Sequence, residues 1–287
     1  MARLGSFGYL PPEYSSLEDS AIVILPVPYD QTSTWVKGAD KGPEAIIEAS
    51  GNMELYDIET DTEVYLNGIH TPEPVGQGLY PDDMVEAVRE KVRKYIELQK
   101  FTVVIGGEHS VAIGAVAAHR QAYSDLMVLQ LDAHADLRDE YEGSKYNHAC
   151  VMARIGELCP IVQVGIRSMD VSEKDQLDPE HTFFAADLHN RVDWIEQVLA
   201  KLDDNVYITI DLDVLDPSIM PSTGTPEPGG LMWYELLALL RAVSESKQLV
   251  GFDVVELCPN ERNRAPNFTA AKLVYKLLSY RFRGSNG

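Results

Sequence analysis

The chain has 287 residues, 45% hydrophobic and 24% charged, proportions that suit a globular protein able to bury a full core. Its 45 acidic against 24 basic residues give a formal net charge of −21, which argues against nucleic acid as a partner, because phosphate binding needs a basic face. Three cysteines with no C-x-x-C pair argue against a disulfide framework. No signal-like N-terminus and no apolar run of about 18 residues is present, so the expectation is a cytoplasmic protein without a membrane segment.

In chain order, the apolar run 21–27 reads as a strand, and Gly42-Pro43 opens a helix over 43–49, since Pro fits the first helical turn. A helix over 81–99 precedes a strand over 101–105, and a helix over 110–123 precedes a strand over 126–131. Strands at 161–164 and 182–184 follow. A helix over 193–202 carries a stripe of Ile195, Val198 and Leu199 suited to packing on a sheet. The remaining elements are a strand over 206–212, a helix over 233–244, a strand over 249–254 and a helix over 270–280. Several strands are continuous apolar blocks, as parallel strands covered on both faces are. The alternation predicts an α/β fold, one mostly parallel sheet sandwiched between helices, forming one domain over 1–287. The site is then expected beyond the carboxyl ends of the strands. The Pro/Gly-rich stretches 71–78 and 217–230 read as long loops, the second bordering that site.

Chemistry-bearing residues crowd the ends of three runs. Gly106-Gly107-Glu108-His109-Ser110 follows 101–105, Asp132-Ala133-His134-Ala135-Asp136 closes 126–131, and Asp211-Leu212-Asp213 closes 206–212. In the last two strings the groups recur at every second residue, the spacing by which a strand aims side chains at one face. The donors His109, Asp132, His134, Asp136, Asp211 and Asp213 are mostly hard oxygen with some nitrogen, which suits Mn²⁺ better than a thiolate-seeking zinc site. Four carboxylates balance two divalent cations, and two such ions sharing a water bring its pKa toward ~7. A lone Asp-x-Asp is as often a turn or cap. Three ionisable groups on one strand end are harder to explain unless they are paired or metal-bound. His70, His119, His181 and His189 are expected to face solvent, and Cys150 to be a packing cysteine.

Residues 106–110, 132–136 and 208–217 resemble, in order, the three signature motifs of the ureohydrolase (arginase/agmatinase) family. Residues 223–230 and 251–256 resemble its next two landmarks, and the likeness runs from about Pro26 to the C-terminal helix. The resemblance implies a three-layer αβα sandwich, two Mn²⁺ ions, and hydrolysis of a small cationic guanidino compound to urea and an amine. It implies that His109, Asp132, Asp136 and Asp211 surround one ion with Asp213. His134 and Asp213 would hold the other, with Asp132 and Asp211 bridging. Glu256 takes the position of a guanidinium-binding carboxylate, and His148 that of a proton shuttle to the leaving amine. Read as residues alone, Glu256 could also pair with an arginine at a strand end, and His148 could face solvent. A homo-oligomer, trimer or hexamer, is likewise implied.

Arginase-like members read an α-amino acid with an Asn after the metal string and a Gly-Asn-x-His-Gly loop. Residues 137–150 keep neither, and look more like prokaryotic agmatinases and their aminopropylagmatine-hydrolysing relatives. The expected reaction is agmatine to putrescine, with N1-aminopropylagmatine to spermidine as the alternative. His148-Ala149-Cys150 replaces the His-Gly-Thr of many agmatinases and leaves substrate length open. Asp170 and Glu227 are expected to receive the distal cation. A binuclear phosphoesterase would need a basic cluster near the metals, and a non-catalytic relative would have lost a ligand or Glu256; neither pattern is present.

Overall fold

The computed structural model describes residues 5–189 and 191–284. Among the described residues eight strands form one sheet, and every pairing in it is parallel. They are β1 (Ile22–Val27), β2 (Ile69–His70), β3 (Phe101–Gly106), β4 (Leu126–Leu131), β5 (Ile161–Ile166), β6 (Thr182–Phe184), β7 (Asn205–Asp211) and β8 (Gln248–Val255). The helices are α1 (Gly42–Ser50), α2 (Pro81–Glu97), α3 (Val111–Ala122), α4 (Val151–Gly156), α5 (Ala185–Leu188), α6 (Trp194–Lys201), α7 (Trp233–Ser246) and α8 (Ala265–Arg281).

The period of two along each strand divides its side chains between two cores. Phe101, Val103 and Ile105 of β3, with Met127, Leu129 and Leu131 of β4, face the layer of α1, α6, α7 and α8. Val104, Leu126 and Val128 face the layer of α2, α3 and α4. This is the expected three-layer αβα sandwich. In α2, Pro81 starts the helix, Met84, Val88 and Val92 are buried at spacings of four, and Arg89 and Arg93 pair with Glu86, Glu90 and Glu97 on the solvent side. Helix α8 begins five residues before its apolar stripe does, because Pro266 opens a first turn whose other residues are exposed or half-buried. The two-residue edge strand β2 and the short helices α4 and α5 escape the sequence reading, being too short to show a period. Among the described residues, no helix is long and apolar enough to cross a membrane.

The strand order is β2-β1-β3-β8-β7-β4-β5-β6. Four adjacent central strands, β3, β8, β7 and β4, therefore end side by side; β3, β7 and β4 lead into the three polar strings singled out above, and β8 leads into Glu256. Parallelism brings these residues to the same edge of the sheet.

Candidate metal centre

His109 lies three residues beyond β3, where it is 1% exposed. Its Nδ1 is 3.1 Å from Asp132 Oδ2, 3.0 Å from Asp136 Oδ2 and 3.6 Å from Asp211 Oδ2. His134 Nδ1 is 3.0 Å from Asp213 Oδ2 and 3.6 Å from Asp132 Oδ1. Among the described residues two groups able to hold an ion result, His109–Asp132–Asp211 and Asp132–His134–Asp213, and they share Asp132, whose two oxygens face different histidines. All six predicted donors thus converge.

The route of convergence differs from strand alternation. β4 stops at Leu131, and the Asp132–Asp136 string is irregular backbone in which Asp136 adopts φ 53°. After Asp211 the chain enters a short 3-10 turn, Leu212–Val214, that carries Asp213. Backbone amides then aim the carboxylates. Ala133 N–H donates to Asp213 Oδ1 (3.0 Å), Asp213 N–H to Asp211 Oδ1 (2.9 Å) and His134 N–H to Asp132 Oδ1 (2.6 Å), while the Oδ2 atoms of Asp211 and Asp213 turn to the imidazoles.

The donor set fits divalent cations. His109 Nδ1 is buried without a hydrogen-bond partner among the described residues, yet three carboxylate oxygens surround it. Its other nitrogen, Nε2, lies 2.9 Å from Thr209 Oγ1, whose hydroxyl donates to Asp253 Oδ1 (2.7 Å); Tyr207 O–H donates to the second oxygen of Asp253 (2.8 Å). With the threonine proton committed, Nε2 carries a ring proton, so Nδ1 is the nitrogen that would give a lone pair to an ion, as in a ligating histidine; without one, and against burial, Asp132 and Asp136 raise the imidazole well above its usual value. Burial, and then Asp132, raise Asp136 to about 7, and burial followed by Asp213 raises Asp211 well above the carboxylate range. Burial works against charge on His134, yet Asp213 and Asp132 hold its pKa at about 12. The cluster holds more negative charge than two imidazoles balance, an excess that two divalent ions offset.

Behind the donors stand residues that sequence reasoning missed. Gln130 Nε2 donates to Asp132 Oδ2 (2.7 Å) and is itself held by Gln163, its partner across β4 and β5. Thr209 and Asp253 are register partners across β7 and β8. The available signal was a polar residue inside an otherwise apolar run.

The cluster floors a cavity of about 280 Å³, walled by the loop Ser33–Val36, by Tyr141 and His148, and by Met169 and Asp170. Glu256 follows β8 at φ 66°, a left-handed conformation costly for a residue with this side chain. His109 N–H donates to its Oε1 (2.7 Å), while Oε2 lies on the Gly224 side, where a β-carbon would come within 3.8 Å. Burial and then Glu108 raise its carboxyl well above the usual range. His148 begins a 3-10 turn capped by the Asn147 side chain; burial, then the charges of His134 and His109, lower it to about 4. It faces the cavity rather than bulk solvent. Asp170 lines the cavity too, although its Oδ1 caps Ser172 and its Oδ2 sits 3.8 Å from Arg138. Glu227 is not among the lining residues; its backbone carbonyl holds Arg167 instead. Cys150 is fully buried, with its thiol pushed up to about 11 by burial, and packs as expected. His119, by contrast, is buried rather than solvent-facing: α3 lies flat on the sheet and turns it inward over Gly251.

A sequence model described as the Arginase family matches residues 20–279. The chain belongs to the arginase family. It is 40% identical over 277 residues to the N(1)-aminopropylagmatine ureohydrolase of Synechocystis sp., covering 93% of this chain and 90% of that one. It is 30% identical over 275 residues to the agmatinase of Pyrococcus horikoshii, covering 91% and 92%. The solved agmatine ureohydrolase of Thermoplasma volcanium superposes with a TM-score of 0.85 at 29% identity, covering 99% of this chain and 95% of that one. The chain is a ureohydrolase of this family, an enzyme that hydrolyses C–N bonds.

Proposed function

We propose that the chain hydrolyses N1-aminopropylagmatine to urea and spermidine, with agmatine as the poorer substrate. The observation that carries this choice is the identity gap, 40% and 41% to two proteins named for the longer substrate against 30% and 33% to two agmatinases. It reverses the order expected from sequence motifs. The two guanidines differ only in the far propylamine arm, so discrimination falls to the outer cavity. There Trp35, 78% exposed, together with Tyr141 and Met169 offers apolar surface for methylenes, and Asp170 offers charge for an ammonium group.

In this reading His109, Asp132, Asp136 and Asp211 would hold one Mn²⁺, and His134, Asp213 and Asp132 would hold the second. When bound, such a pair lowers the pKa of water toward neutrality and so supplies the nucleophile. Glu256 Oε2 accepts an N–H of the guanidinium and turns its carbon toward the cluster. Water adds to that carbon, the bond to the alkylamine nitrogen breaks, and His148 carries the released proton to that nitrogen. Urea release by the Mn²⁺-loaded protein from N1-aminopropylagmatine, agmatine, arginine and guanidinobutyrate tests the proposal. The highest kcat/KM is expected for N1-aminopropylagmatine. A higher value for agmatine overturns the substrate choice, and no urea from any guanidine overturns the function.

A further inference from the structure

Glu108 sits inside a signature motif, yet it is no metal donor and touches none of the reacting groups. It is fully buried, and both its oxygens are engaged. Oε2 accepts from the backbone N–H groups of Thr32 (2.6 Å) and Ser33 (3.0 Å). Oε1 accepts from the hydroxyls of Thr32 (2.6 Å) and Ser110 (2.6 Å). The same Thr32 Oγ1 accepts from the backbone N–H of His148 (3.0 Å) and lies 3.3 Å from His148 Nδ1. A threonine hydroxyl has one proton and two lone pairs. With the proton spent on Glu108, the oxygen can meet His148 Nδ1 only as an acceptor.

We propose that Glu108 and Thr32 are positioning residues that set the tautomer of His148, placing its proton on Nδ1 and leaving the Nε2 lone pair as the one offered to the cavity. The consequence for catalysis rests on the reading of His148 as the proton carrier; the tautomer itself does not. The polarity of the chain is set at Glu108, because two backbone N–H groups and two hydroxyls all point at its two oxygens and make it the acceptor on which the chain ends. Glu108→Gln keeps the shape and reverses that polarity. Two backbone N–H groups require the glutamine oxygen on their side, so its amide N–H₂ falls beside Thr32 and donates. The Thr32 hydroxyl then turns to donate to Nδ1, and His148 takes its proton on Nε2, the nitrogen that must be bare.

The test is the two-bond ¹H–¹⁵N correlation of the imidazole rings in full-length, ¹⁵N-histidine protein loaded with diamagnetic Zn²⁺, with His148 assigned from the spectrum of His148→Ala. The native protein is expected to show the Nδ1–H form, Thr32→Ser the same form, and Glu108→Gln the Nε2–H form. Thr32→Val, which leaves Glu108 in place, is expected to lose the preference and serves if Glu108→Gln does not fold. In the Mn²⁺-loaded enzyme, Glu108→Gln and Thr32→Val are expected to lower kcat about tenfold or more, with KM within about threefold, and Thr32→Ser to recover most of the loss. A native Nε2–H form, or a tautomer indifferent to Glu108→Gln and Thr32→Val, overturns the proposal. Full turnover in His148→Ala overturns the shuttle reading instead, and the spectra then decide the chain alone.

Discussion

His119 offers a test of the core that is independent of the metal site. Its ring is 1% exposed, with Nδ1 2.8 Å from Ala115 O, Nε2 3.0 Å from Thr102 Oγ1 and the Tyr207 ring 4.7 Å away. A β-carbon on Gly251 would come within 2.4 Å of Nε2, so only glycine leaves this berth open. Burial lowers the imidazole from 6.5 to about 4, the Ala115 carbonyl opposing it in part. Because the folded value lies below the unfolded one, the unfolded chain takes up the proton first on acidification. Stability from this group is complete above about pH 6.5 and is lost as pH falls toward 4. A shift of about 2.5 units corresponds to roughly 3 kcal/mol. Urea unfolding of the chelated protein, from about pH 4 to 8, is compared with that of His119→Gln, which does not titrate. The difference between the two stability curves cancels the other ionising groups and is expected to change by about 3 kcal/mol across that window. Parallel curves would refute the reasoning.

Three further outcomes follow from the geometry. Asp132 touches both donor groups and His134 only one, so elemental analysis should find close to one ion per chain in His134→Ala and neither held tightly in Asp132→Ala; equal losses in the two variants would count against a shared carboxylate. Glu256→Gln removes the charge opposite the guanidinium while keeping an acceptor for His109 N–H, and should raise KM by about 10- to 100-fold, the worth of a charged hydrogen bond. An unchanged KM would remove Glu256 from substrate binding. Gly107→Ala would place a β-carbon 2.0 Å from Tyr29 O, and should cost about 3 kcal/mol, the upper end of overpacking penalties, seen as a lower Tm. An unaltered Tm would mean that the loop has slack.

The donors were legible in the chain because ligand chemistry is local: Asp132, His134 and Asp136 lie in one string, and Asp211 and Asp213 in another. The sandwich was legible because continuous apolar blocks separated by helical periods admit few other arrangements. Cooperation between distant segments was not. Whether His109 presents Nδ1 to the cluster depends on Thr209 and Asp253, a hundred or more residues away and joined to it only by the β3-β8-β7 neighbourhood. Thr32 reaches His148 across 116 positions through a hydroxyl whose direction Glu108 sets, and a hydroxyl proton leaves no trace in residue order. His119 reads as a polar helix residue until the sheet is laid against α3. Residue identity and spacing decided which groups are present and on which strand ends they stand. The packing of one sheet edge decided where each proton and each lone pair points, because hydrogen-bond direction is a property of pairs that only folding brings together.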